Sequence, residues 1–354
     1  MADKSRITTL GEFLHQSGAH YRLFDMGRRV TKISAEVFAQ FEQAAVPYPT
    51  PFQRTALFAV LFWHPQQADK HYVWFLRFPL DEQGLLLQAA RDEFLTIVLE
   101  RVGESMLAAA DGRQIEGALK DSPYSFNPRE DKMAAFNAQA TRALALPASS
   151  FYTEAWAYFQ GQRNWQDWQQ LGMQGVADVA IRLQDQEDVS ALIRALPTLP
   201  TQPFQMLATF LEHSRPSVAL TEAFAQHVSR ALEQTAVDIA TVCACLRAVS
   251  NSQAQGLLRQ MVEQVLAHES SRHIEVLAII VGRCWSVLAD PQTCRLLLEK
   301  LALNEAGYDG FSHLLADLVY LPAMRGPVMA ALRHPQRSEA LSQYVGQMFG
   351  TTKH

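Results

Sequence analysis

Three carboxylates stand where strand-like runs end: Asp25, Asp81 and Glu82. Carboxyl groups held at strand ends can act as general acid and base, which makes these residues candidates for an enzyme of unrecognised type. Helix capping explains two of them without any catalysis. Asp81 is placed to cap a helix running to about residue 101, and acidic groups in a first turn favour the helix dipole.

Metal and thiol chemistry fare less well. The four cysteines are Cys243, Cys245, Cys284 and Cys294. Cys243 and Cys245 fall on a predicted helix, where residues two apart point about 200° from each other, so one ion cannot easily take both. They read as core thiols. Cys294 lies near a helix start, which could lower its pKa, but Leu296-Leu297-Leu298 marks that face as buried. His268 and His273 are five apart across Ser270-Ser271, the wrong spacing for a zinc-protease helix. Gly172-Met173-Gln174-Gly175 has no strand before it and cannot be a phosphate loop. No serine sits in a nucleophile elbow. The expectation is therefore no catalytic residue, no metal and no cofactor.

Binding residues remain. Arg28 and Arg29, with Lys32, form a basic cluster on a predicted hairpin near Arg22 and could meet an anionic surface. Trp165 and Trp168 are three apart on one helix face, as aromatic anchors of an interface would be. Single arginines recur in later helices at Arg230, Arg259, Arg295 and Arg333, and a stacked row of them would suit an acidic peptide or RNA.

The elements that must position these groups fall into two classes. Thr9 with Glu12 fits a capping box on a short helix. Strand-like runs over 21–25 and 29–34 flank Met26-Gly27, and Ser34 caps a helix over 35–44. Pro47-Tyr48-Pro49-Thr50-Pro51 is a stiff connector. Runs 56–63 and 71–78 are apolar nearly throughout, as strands buried on both faces are, with a polar loop between them. The reading is ββαββα, an α+β layer arrangement. Residues 103–147 look helical but broken by an aromatic loop, Ser122–Pro128, with helix resuming over 129–146. Pro147-Ala148-Ser149-Ser150 marks a domain boundary, giving an α+β domain over 1–147 and a helical domain over 148–354.

Beyond residue 151 no strand is legible. Helices are predicted over 202–213, 216–234, 236–249, 252–268, 273–288, 291–303, 308–320, 324–333 and 337–349, with Pro216 and Pro291 at helix starts. Taken in pairs they recur at about 34–37 residues, the period of helical hairpins. A hairpin of that size cannot bury its apolar stripe alone, so neighbours must stack, as in a HEAT-like α-solenoid; a compact irregular bundle is the alternative.

The bulk numbers fit this picture. Of 354 residues, 48% are apolar and 19% charged, and the net charge is −5. Residues 1–147 carry 16 Lys+Arg against 17 Asp+Glu, and residues 148–354 carry 15 against 19. Neither half has the basic excess that phosphate binding usually needs. No apolar run follows Met1–Arg6, and none approaches the roughly 20 residues of a membrane span. A cytoplasmic protein with reduced thiols is expected, with no membrane partner.

Three stretches carry a resemblance: Tyr21-Arg22-Leu23-Phe24-Asp25-Met26-Gly27-Arg28-Arg29, Trp74-Phe75-Leu76-Arg77-Phe78-Pro79-Leu80-Asp81-Glu82-Gln83-Gly84, and Lys132-Met133-Ala134-Ala135-Phe136. Together they resemble an uncharacterised family of gammaproteobacterial proteins, which implies a bacterial cytosolic origin and transfers no catalytic residue. The functional expectation is a non-catalytic scaffold or adaptor that binds another protein through helical repeats. The alternatives are an RNA- or tRNA-associated accessory factor, and an enzyme with its site at the strand ends.

Overall fold

The computed structural model describes residues 7–65, 70–102, 117, 119, 121–183 and 185–350. The chain divides into two compact units, Met1–Phe136 and Asn137–His354. The loop expected between the two long strands and the helix expected just after residue 103 lie largely outside the described residues.

The first unit opens with α1 (Leu10–Gln16), whose capping box is present: the Thr9 side chain accepts from Glu12 N, and Glu12 reaches back to the Thr9 amide. Strands β1 (His20–Asp25) and β2 (Thr31–Ile33) follow, then α2 (Ala35–Glu42), with Ser34 capping Val37 N. β3 (Thr55–Trp63), β4 (His71–Pro79) and α3 (Gln88–Val102) complete the alternation. The four strands form one antiparallel sheet in the order β2-β1-β3-β4.

Strand register sorts side chains to two faces, because alternate residues point oppositely. On one face Leu23, Phe58, Val60, Phe62, Trp74 and Phe78 pack with Phe13 of α1, Phe38 and Phe41 of α2 and Phe94 of α3. On the other, Phe24 and Phe75 meet the ring of Phe136 edge-on at 5.5 and 5.1 Å. Phe136 belongs to α4 (Glu130–Ala143).

Two sequence expectations need correction here. β4 is not buried on both faces: it alternates, because it is the edge strand. The aromatic loop runs along that edge, with Arg77 N donating to Tyr124 O and Phe126 N to Phe75 O, which satisfies backbone groups an edge would otherwise expose. Asp81 does not cap a helix. Its Oδ1 accepts from Gln83 N and Leu85 N in a turn closed by a Leu80–Leu86 bridge, and α3 starts only at Gln88. A local side-chain-to-backbone turn has won over helix initiation.

The second unit has no strand among its described residues. Its helices are α5 (Tyr152–Phe159), α6 (Met173–Arg182), α7 (Gln186–Ala195), α8 (Thr201–Leu211), α9 (Val218–Leu232), α10 (Ile239–Val249), α11 (Gln255–Ala267), α12 (Ile274–Arg283), α13 (Trp285–Leu288), α14 (Pro291–Leu301), α15 (Gly307–Val319), α16 (Arg325–Leu332) and α17 (Glu339–Gly350). Pro291 opens α14 behind an Asp290 cap, as its sequence position implies. Pro216 precedes the cap of α9, which is Ser217. The expected helix over 273–288 breaks at Cys284.

These helices lie in two rows. α6, α8, α10, α12 and α15 rest on one another in turn, and α7, α9, α11, α14 and α16 do the same, while α9 and α10 tie row to row. α17 closes the end against α14 and α15. The inner stripes are fully buried: Leu207, Leu211, Leu246, Val249, Leu277 and Ile280 in the first row, Val228, Leu258, Val262 and Leu297 in the second. Each stripe is covered only by neighbours, which is why the stacking exists.

Candidate functional site

The expected basic cluster is largely inside the protein. Arg28 is 3% exposed and Arg29 7%, and only Lys32, on the short edge strand β2, reaches solvent. The reason is local. The chain between β1 and β2 folds against the proline connector, so that Arg28 Nε donates to Pro51 O at 3.0 Å. Lys132 of α4, itself buried, donates Nζ to Arg28 O at 3.0 Å.

Asp25 anchors the same knot. Its Oδ1 accepts from Gly27 N at 2.6 Å, and its Oδ2 accepts from Thr50 Oγ1. Burial pushes the Asp25 carboxyl up to about 6, against the opposing pull of Thr50, Gly27, Lys132 and Tyr48. Asp81 stands at the same end of the sheet with β3 between, held in its own turn, and Glu82 is exposed. At this sheet end Asp25 and Asp81 are thus each held by hydrogen bonds of their own, and Glu82 faces solvent.

A second buried carboxylate, unremarked in the sequence, lies in this unit. Glu42 ends α2 and accepts from Leu10 N at 2.7 Å and Gly11 N at 3.0 Å, closing the start of α1. Burial raises it to about 7 despite those two bonds. With Glu12, His15, Tyr21 and Phe38 it lines a shallow cleft between α1 and α2.

In the helical unit, Trp165 and Trp168 lie on a 3₁₀ turn, Trp165–Gln170, and both are half-buried. Trp165 packs edge-on to Tyr158 at 5.2 Å, and Tyr158 OH donates to Trp165 O at 3.0 Å. Beside this turn a small niche is lined by Phe151, Glu154, Tyr158, Arg163, Asp167 and Leu171. The glycines at 172 and 175 have a packing role: a Cβ on Gly175 would lie 2.5 Å from Phe151 O.

The helical arginines sit on α9, α11 and α14, with Arg333 at the C-cap of α16. Arg230, Arg259 and Arg333 are exposed, and Arg295 is half-buried. Arg259 pairs with Asp290 at 3.4 Å, while Arg230 rims a shallow groove between α9 and α11 with Glu222, Gln226, Ser229, Gln260 and Gln264. Among the described residues no contact brings the four arginines together.

One tight charge cluster was not anticipated. Glu212, the C-cap residue of α8, is fully buried. Its Oε2 accepts from Arg247 Nε at 2.6 Å and Arg283 Nε at 2.7 Å, and its Oε1 from Arg247 Nη2 at 3.2 Å. Burial works to raise the Glu212 carboxyl, but His213, Arg283 and Arg247 together overcome it and hold it down at about 2. The partners are 35 and 71 residues away, beyond the reach of any local sequence pattern.

The thiols are unreactive in type. Burial pushes Cys243 and Cys294 up to about 12, so at Cys294 burial outweighs the helix start. His268 caps a 3₁₀ turn through Ser270 N, and His273 pairs with Glu305 at 3.0 Å. No group of three or more His, Cys, Asp or Glu residues placed to hold a metal occurs among the described residues. No single helix among them is long and apolar enough to cross a membrane.

Fold and site together define a two-unit protein: an α+β unit knotted by buried charges, then a helical unit of two stacked rows. The chain belongs to the family described as a protein of unknown function (DUF3549), whose model matches residues 5–349. Neither a curated protein nor a solved structure matches it.

Proposed function

We propose that the chain is a non-catalytic scaffold or adaptor that binds another protein through a HEAT-like α-solenoid in its helical unit. The observation that carries this reading is the row packing, in which each helix rests on the one next in its own row. Such an array buries one stripe per helix and leaves the outer faces for partners. The groove between α9 and α11, in which Arg230, Gln226, Gln260 and Gln264 surround Ala225, Leu257 and Met261, offers a face of that kind.

The RNA reading rests on Arg28, Arg29, Lys32 and the helical arginines; burial withdraws Arg28 and Arg29 from any phosphate backbone and leaves Lys32, Arg230 and Arg259 exposed, which makes it the weaker reading. The enzyme reading rests on Asp25, Asp81 and Glu82; Asp25 is tied to Gly27 and Thr50, Asp81 closes its own turn, and Glu82 is exposed, so among the described residues nothing gathers the three into one site.

The test is affinity capture with the full chain and an Arg230→Glu, Gln260→Ala variant, each confirmed folded. A stoichiometric partner held by the wild type and lost by the variant is expected. Equal recovery by both, or no stoichiometric partner, would overturn the reading.

A further inference from the structure

Stacked helical arrays couple mainly through nearest neighbours, so their helices can open one after another. Glu212 departs from that rule. Its carboxylate at the end of α8 is shared between Arg247 in the last turn of α10 and Arg283 in the last turn of α12, which is two places along the row. Three helix ends therefore converge on one buried group. Each of those ends carries a partial negative charge, which the two guanidinium groups also offset.

The groups facing Glu212 are Arg247, Arg283 and His213, whose ring nitrogen lies 3.6 Å from Oε1. His213 is fully buried, and the arginines are about a fifth exposed. Around it the backbone is tied as well: Gln139 Nε2 donates to His213 O at 2.7 Å, and Asn251 Nδ2 to Ser214 O at 2.6 Å. Without the carboxylate, two guanidinium groups would face each other with no anion between them, and their repulsion would drive the helix ends apart.

We propose that Glu212 is a curvature clasp: it draws the C-terminal ends of α8, α10 and α12 together and makes them one cooperative block within the helical unit. Helices beyond the clasp, α14 to α17, open independently of it. This deepens the scaffold reading, because a clasp of this kind fixes the shape of the surface a partner meets. It is tested on the chain alone, so the absence of a partner and the failure of the clasp are separate outcomes.

The experiment is hydrogen exchange on the full chain, comparing wild type, Glu212→Gln and Arg283→Met. For Glu212→Gln, exchange in the last turns of α8, α10 and α12 is expected to rise together by roughly a hundredfold, with α15 and α17 unchanged. Arg283→Met keeps the Glu212–Arg247 pair and serves where the first variant fails to fold. It is expected to speed exchange at the end of α8, two places away, by about tenfold. A rise confined to α12 in Arg283→Met, or changes spread evenly over α14 to α17 in Glu212→Gln, would overturn the proposal.

Discussion

Lys132 donates its ammonium to the carbonyl oxygen of Arg28 at 3.0 Å, joining two residues 104 positions apart. The bond fastens α4 to the loop between β1 and β2, four residues before Phe136 covers Phe24 on the sheet. The same cation favours the ionised form of the Asp25 carboxyl. The stretches 21–29 and 132–136, far apart in sequence, thus meet in one knot.

Removing that charge should loosen the knot. Lys132→Met keeps most of the stem and deletes the donor, leaving the Arg28 carbonyl and Asp25 buried with one partner fewer. The expected loss is about 2–3 kcal/mol of unfolding free energy, measured by urea denaturation. A loss below about 0.5 kcal/mol would mean the contact is incidental.

Local rules were legible at several helix starts. Thr9 with Glu12, and Ser34, act within four residues of themselves, and sequence spacing finds such groups. Asp81 satisfied the same rules and did something else, because an Asp that accepts from two amides ahead of it can close a turn as readily as begin a helix. The long-range pairs were illegible for a different reason. Arg28 finds its acceptor in the proline connector, and Glu212 finds donors 35 and 71 residues on, so neither environment is written in the flanking residues. The helices themselves were readable because each carries its own apolar stripe. A carboxylate that joins three of them leaves no such local mark.

Gly175 offers a sharper test of helix packing. A methyl group there would lie 2.5 Å from Phe151 O and 3.0 Å from Phe151 C, which are backbone atoms that cannot swing aside. Gly172 meets only the Phe151 side chain, its ring at 3.3–3.4 Å, and Phe151 is exposed enough to turn. Gly175→Ala is therefore expected to cost about 2–3 kcal/mol and Gly172→Ala less than about 1 kcal/mol. Thermal unfolding of the two variants side by side measures the difference. Equal costs would show that α5 and α6 adjust freely.

The buried carboxylates impose opposite slopes on stability as pH changes. Asp25 and Glu42 have folded values raised to about 6 and about 7, so the folded chain binds more protons than the unfolded one between about pH 4 and 7. Their contribution is greatest below the unfolded values and is lost as pH rises through the folded ones. Each pH unit separating a folded from an unfolded value is worth about 1.4 kcal/mol, so together they are expected to remove a few kcal/mol across that window. Glu212, held at about 2, acts the other way: its stabilisation is present above its unfolded value and is lost as pH falls from about 4.5 toward 2. Glu42→Gln keeps one acceptor for the start of α1 and cannot ionise, so its stability should fall less steeply than the wild type's from pH 4.5 to 7, whatever its absolute value. Glu212→Gln should instead flatten the acid limb below pH 4.5 and leave the upper window unchanged. Urea titrations at half-unit pH steps distinguish the two, and parallel curves for wild type and Glu42→Gln would refute the assignment of the upper slope.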